Sequence, residues 1–134
     1  MRIRIAPSLL SADFLHLADE VADVERGGAD LLHLDIMDGH FVPNLTFGPA
    51  VVRAIASRSK IALDAHLMVA HPDDLIADLL AAPVARIAVH IEVCNHLQRT
   101  LENIRLGGVE AGIAVNPASA LSLLEDALPW TDFV

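Results

Sequence analysis

Short apolar runs recur along this chain at a near-constant interval, and the gaps between them carry apolar residues at a helical period. The runs fall at residues 3–9, 31–37, 61–68, 86–91 and 111–115, and a sixth begins at 131–134. Between them, Phe14, Leu17, Ala18, Val21 and Val24 share one helical face, as do Leu97, Leu101 and Ile104. Val51, Val52 and Ile55 follow Pro49, which suits the first turn of a helix. Leu75, Ile76, Leu79 and Leu80 follow Pro72, Asp73 and Asp74, and acidic charge favours a helix N-terminus. Leu121, Leu124 and Leu128 make a last stripe. Small or turn-forming residues close the helical segments at Gly27-Gly28-Ala29, Ala81-Ala82-Pro83 and Gly107-Gly108. A strand–helix unit repeated in this way implies parallel strands, because parallel neighbours need a crossover connection.

Two architectures use that unit. A (β/α)₈ barrel of ~250 residues spends about 30 on each, close to the spacing here. A doubly wound open sheet usually carries G-x-G-x-x-G after its first strand, and "PSLLSADF" has none. The predicted fold is therefore α/β, a (β/α)₈ TIM barrel truncated after about five units and the start of strand six. Residues 1–134 form one partial barrel domain without a linker. The chain is 54% hydrophobic but only 4% aromatic with no Tyr, so its core is built from Ala, Leu, Ile and Val. Helices covering a parallel sheet require such a core. A net charge of -9 argues against an extended nucleic-acid or anionic-membrane surface. It leaves room for a small anionic substrate, since a helix N-terminus holds a phosphate locally. The single cysteine, Cys94, excludes an internal disulfide and reads as a structural residue or spare thiol in a reducing compartment. No apolar run approaches the ~20 residues of a membrane span, and a cytoplasmic location is expected.

The second and third runs carry ionisable groups where buried strands usually have none. Side chains at i, i+2 and i+4 of a strand share a face. His33, Asp35 and Met37 then point one way, and so do Asp64, His66 and Met68 in "LDAHLM". Ser8 closes the first run, His90 and Glu92 the fourth, and Asn116 the fifth, at the rim where barrel active sites are assembled. Two imidazoles and a carboxylate on adjacent strands suit a divalent metal, Zn first, with Fe, Mn or Co in the same role. The competing reading makes His33 and His66 neutral core histidines, bonded to Asp35 and Asp64 and holding the strands in register. His90 and Glu92 are open between substrate contact and rim packing, while His16, His71 and His96 read as solvated.

In this order and at this spacing, "IAPSLLSADF", "LLHLDIMDGHFVPNLTFGP", "LDAHLMV", "VHIE" and "GIAVNPAS" closely resemble the ribulose-phosphate 3-epimerase family. The resemblance runs over the whole chain. It implies interconversion of D-ribulose 5-phosphate and D-xylulose 5-phosphate through a 2,3-enediolate, in the pentose phosphate pathway. It also implies one divalent metal held by His33, Asp35 and His66, with Asp35 as one of two acid/base carboxylates. Substrate contacts would come from Ser8 and His66, with Met37 and Met68 in the apolar lining. The implied partners are a small sugar phosphate and other copies of the chain, with no nucleic acid and no membrane.

The family pattern also contains a second acid/base aspartate near the end of strand seven, a glycine-rich phosphate loop after strand six and a further phosphate contact at strand eight. The sequence stops at Val134, before those positions. A stretch of this length on its own is expected to associate through its open edges and to lack turnover. Two alternatives remain open at this stage: a D-allulose-6-phosphate 3-epimerase-like enzyme, which shares much of the pattern, and a non-catalytic partial barrel.

Overall fold

The central apolar runs become four parallel strands in the computed structural model, which describes residues 2–134. They are β1 (Leu31–Met37), β2 (Ala62–Met68), β3 (Val84–His90) and β4 (Glu110–Ala114). Each strand lies beside its neighbour in sequence, in the order β1-β2-β3-β4. A doubly wound sheet reverses its strand order at a switch point, whereas a barrel winds on in one direction. The observed order is that of the barrel.

Four helices alternate with the strands: α1 (Leu17–Arg26), α2 (Pro49–Ala56), α3 (Asp73–Leu80) and α4 (Leu97–Leu106). Each packs on the next, so together they form one layer over a single face of the sheet. Under that layer the strands bury Leu32, Leu34, Ile36, Leu63, Leu67, Ile87 and Val89 against Val52, Leu79, Leu101 and Ile104. The alternate residues face the other way, into what would be a barrel interior. The polar groups of the two central runs therefore lie together on that inner face.

Local chemistry explains where the helices begin and end. Pro49 occupies the first turn of α2, where its missing N–H costs nothing, and Asp73 and Asp74 sit in the first turn of α3. α1 and α4 both end on glycine pairs with one bonding pattern. After α1, the Gly28 N–H bonds the Glu25 carbonyl and the Ala29 N–H bonds that of Val24; after α4, Gly108 bonds Arg105 and Val109 bonds Ile104. Gly28 and Gly108 have φ of 85° and 79°, the left-handed conformation this Schellman closure requires.

Three expectations are corrected. Residues 3–9 do not form a full strand, although they run parallel along β1. The Ile5 carbonyl accepts from the Asp30 and Leu31 amides, the Pro7 carbonyl accepts from His33 at 2.9 Å, and Ser8 bridges to His33. The ladder stays incomplete because Pro7 has no N–H and the Ile5 N–H is taken by the Asp30 carboxylate. The Leu121, Leu124, Leu128 stripe is not an α-helix but two 3₁₀ turns, Leu121–Leu124 and Leu128–Trp130. Leu124 is buried while Leu121 and Leu128 are exposed. A helix running through Pro129 would lose an amide donor and press the ring against a preceding carbonyl. α1 likewise starts at Leu17 rather than Phe14, which lies in a 3₁₀ turn capped by Asp13. The start of a sixth strand is present: Phe133 bridges in parallel to Gly112 on the outer side of β4.

Leu34 is fully buried in the strand–helix interface, whereas Ile3 is 87% exposed. Leu34→Ala is expected to lower the unfolding free energy by about 2–5 kcal/mol, and Ile3→Ala by no more than about 0.5. Urea unfolding of both variants measures the contrast, and equal midpoints would contradict the layer arrangement.

Candidate active site and metal centre

Parallel pairing of β1 with β2 sets Asp35 opposite His66, His33 opposite Asp64 and Met37 opposite Met68. The three pairs lie on the inner face, stacked as successive rungs. Asp35 is only 9% exposed, and its Oδ1 lies 3.3 Å from His33 Nε2 and 3.2 Å from His66 Nδ1. Its other oxygen, Oδ2, accepts a hydrogen bond from Ser8 Oγ at 2.5 Å. That hydroxyl also accepts the Leu10 N–H at 3.1 Å, so its own hydrogen is free to point at Asp35. The edge segment along β1 therefore does more than pair: it delivers Ser8 to the carboxylate.

The far side of each imidazole is also occupied. His33 Nδ1 lies 3.0 Å from Asp64 Oδ2, and His66 Nε2 lies 2.9 Å from His90 Nε2. Two loop residues stiffen the site. Thr46 donates its hydroxyl to the Asp35 carbonyl at 2.6 Å and accepts the Met37 N–H at 3.0 Å, bracing the end of β1. Asp38 accepts the amides of Ala70, His40 and Phe41, which ties the loop after β1 to the loop after β2.

The charges follow from these contacts. The Asp35 carboxylate, and after it that of Asp64, raises His33 from its ordinary 6.5 to about 9, against the effect of burial. His33 and His66, followed by Ser8, hold Asp35 well below the usual carboxylate range although burial works the other way. Burial opposes ionisation of Asp38 too, but the three amides prevail and place it at about 2. Burial, with Asp73 and Glu92 adding to it, pushes the Cys94 thiol up to about 12. Such a thiol is inert, in keeping with a structural role.

His33, Asp35 and His66 offer ligand atoms that all lie within 4.8 Å of one another. Their chemistry fits a cation. If His33 donates from Nδ1 to the Asp64 carboxylate, a neutral ring turns the lone pair of Nε2 toward Asp35 Oδ1, which is itself an acceptor. Two facing acceptors need a positive centre between them, either a proton or a metal ion. The Asp64–His33 contact is also the carboxylate–histidine arrangement that fixes a metal-binding imidazole in its ligating tautomer.

Comparison with known proteins gives the family. Residues 4–134 match the Ribulose-phosphate 3 epimerase family. The chain belongs to that family. It is 46% identical over 132 residues to the ribulose-phosphate 3-epimerase of Bacillus subtilis, covering 98% of this chain and 61% of the relative. The enzymes of the same name from Aquifex aeolicus and Synechocystis are 44% and 46% identical, with 97% and 98% of this chain covered. The chain thus spans about 60% of the length of these relatives. Among solved structures, the N-acetylmannosamine-6-phosphate 2-epimerase of Clostridium perfringens aligns with a TM-score of 0.63 at 15% identity. That alignment covers 94% of this chain and 56% of the other, and it shows a shared fold.

Of the residues singled out in the sequence, Ser8, His33, Asp35 and His66 meet at one point, with Met37 and Met68 one rung further along the strands. The hydrogen bonds expected for core histidines are present as well, since the two readings share their geometry. Sequence reasoning missed Thr46 and Asp38, whose roles depend on where a loop folds back. It left His90 and Glu92 ambiguous, although H-x-E at a strand end was a visible signal.

In the metal-free protein the His33 ring is expected to titrate near pH 9 by NMR. Because the folded value lies above the ordinary one, this contribution to stability is complete below about 6.5 and disappears as pH rises through about 9. Asp35→Asn should lower the midpoint more than Asp64→Asn, and a wild-type midpoint near 6.5 would contradict the carboxylate pairing.

Proposed function

We propose that the full-length protein catalyses metal-dependent epimerisation at C3 of D-ribulose 5-phosphate to D-xylulose 5-phosphate, in the pentose phosphate pathway. One observation carries the reading: in a chain of this family, two imidazole nitrogens and a buried carboxylate oxygen converge within 4.8 Å on the inner face of adjacent strands. The relatives named ribulose-phosphate 3-epimerase favour the pentose substrate over a six-carbon one.

The chemistry needs a base beside a carbon whose proton is acidified by a neighbouring carbonyl. Asp35 is ionised and points one oxygen, Oδ1, at the two imidazoles. Oδ2 faces Ser8 and is the oxygen left to take the C3 proton and, in the reverse direction, return it. Ser8 restrains that oxygen and provides a hydroxyl for a substrate oxygen. His33, Asp35 and His66 would hold a divalent ion, which supplies Lewis-acid stabilisation of the charge developing on the substrate oxygens. Zn suits two nitrogen ligands and one carboxylate, and Fe, Mn and Co accept the same set. Met37 and Met68 line the next rung and exclude water from the reacting carbons. The opposite face of the sugar requires a second acid/base group, which in this reading comes from a further part of the barrel.

Self-association is part of the reading for the 134-residue stretch on its own, whose sheet edge is open. It rests on the edge segment beside β1, where Ile3 and Ile5 are 87% and 59% exposed. A cytoplasmic site of action rests on the composition, with its single cysteine.

Asp35→Asn in the full-length protein is expected to slow exchange of the C3 proton with solvent by at least ~10²-fold, and more if the lost ligand weakens metal binding. His33→Ala and His66→Ala should lower bound metal and turnover together, and a chelator should remove activity that Zn or Mn restores. Metal content by mass spectrometry and exchange in deuterated buffer are the measurements. Undiminished metal content in both histidine variants would leave the core-histidine reading in place.

A further inference from the structure

Beyond His66, a chain of side chains continues away from the candidate metal centre, and nothing in the proposed reaction uses it. His66 Nε2 meets His90 Nε2 at 2.9 Å, and His90 Nδ1 lies 3.2 Å from Glu92 Oε2. Glu92 Oε1 in turn accepts the Asn116 N–H at 2.7 Å and the Ser119 hydroxyl at 2.5 Å. The ring centroids of His66 and His90 are 5.0 Å apart although their nitrogens are 2.9 Å apart, so the rings meet tip to tip rather than face to face. Phe41, from the loop after β1, packs on His90 with centroids 4.5 Å apart and restrains its tilt. Three connections contribute to this chain: those following β1, β3 and β4.

The protons along it are determined by counting donors and acceptors. The Glu92 carboxylate only accepts, and one of its oxygens is already engaged by two donors, so the His90 nitrogen facing it carries the hydrogen. A neutral His90 then presents the lone pair of Nε2 toward His66. His66 must donate from its own Nε2, which leaves its Nδ1 as a lone pair directed toward Asp35 Oδ1 at 3.2 Å. That is the nitrogen on the cation side.

We propose that His90 and Glu92 are positioning residues that hold His66 in the tautomer able to bind a metal ion, as Asp64 does for His33. The proposal deepens the function proposed above and rests on His66 being a ligand. The two imidazoles are then prepared by different devices: His33 by a direct carboxylate, and His66 by a carboxylate acting through a second imidazole. A metal-bound imidazole is usually oriented in this way through its other nitrogen, and loss of such a partner typically weakens metal binding 10–100-fold.

Glu92→Gln is the decisive variant because it keeps shape while reversing the logic of the chain. If the amide oxygen keeps its bonds to Asn116 and Ser119, the NH₂ group faces His90 Nδ1, which must then accept. His90 would donate from Nε2, His66 would accept there, and the hydrogen would move to His66 Nδ1, blocking the ligating nitrogen. In the full-length protein, Zn affinity by chelator competition is expected to fall about 10–100-fold for Glu92→Gln and for His90→Phe. His90→Gln, whose carbonyl oxygen can still accept from His66, should recover most of that loss. Histidine side-chain ¹⁵N shifts should show His90 protonated on Nδ1 in the wild type and on Nε2 in Glu92→Gln, a change that loosened packing would not produce. If wild type and Glu92→Gln bind Zn equally and show the same His90 tautomer, while His33→Ala loses Zn, the relay is wrong and the metal site stands. If His33→Ala and His66→Ala keep Zn as well, the metal assignment itself fails and the relay falls with it.

Discussion

Everything in this site depends on the register between β1 and β2. The pairing of Asp35 with His66 and His33 with Asp64 brings groups 31 residues apart in sequence to within hydrogen-bonding distance. Side chains alternate along a strand, so a slip of β1 by one residue would turn His33 and Asp35 toward the helices and send Leu34 to the inner face, and a slip of β2 would do the same to Asp64, His66 and Leu67. The register is held by what lies behind it. Leu32, Leu34, Ile36, Leu63, Ala65 and Leu67 are buried under the helix layer, and a one-residue slip of either strand would take its three out of that layer. The hydrophobic face thereby specifies the position of the polar one.

On the inner face, burial and charge work against each other. Asp35 is buried and ionised, a combination that is costly without partners. Two imidazoles and a hydroxyl provide them, and each partner is itself held from behind: His33 by Asp64, His66 by His90, and Ser8 by the Leu10 amide. A further rung of charge lies alongside, where Arg86 sits between Asp64 and Glu110 and stacks on Phe133 at 3.7 Å. The inner face is an ordered electrostatic lattice more than an apolar core. This is consistent with a site that stabilises developing charge through groups already in place before the substrate arrives.

The relation to longer relatives gives this arrangement its context. The chain covers about 60% of the curated ribulose-phosphate 3-epimerases that it matches, and it includes the strands that carry the His-Asp-His group. The segments at either edge of the four-stranded sheet continue its parallel pairing, one through Ser8 and His33, the other through Phe133 and Gly112. The winding of the sheet is thus the same at both edges. Polar groups gathered on one face of successive strands follow from this topology, since each strand of a barrel brings its end to the same rim.

The alternation of apolar runs with helical stripes, read from the sequence, determined the fold class, and the i, i+2 spacing determined that His33, Asp35 and Met37 share a face. β1 occupies the residues the pattern indicated, because a run buried on its helix side leaves little freedom in its bounds. The pattern was less informative where backbone donors decide the outcome: Pro7 and Pro129 each withhold an N–H, and there an expected strand and an expected helix become an edge segment and 3₁₀ turns. Composition and spacing also suggested His66 as the companion of His33 and Asp35. What they left undetermined was direction. Whether an imidazole binds a metal ion or only braces a strand depends on which nitrogen faces which acceptor, and that follows from contacts between residues distant in sequence. Tertiary structure alone placed Asp64 behind His33 and His90 behind His66, and so decided which nitrogen of each ring is turned toward Asp35.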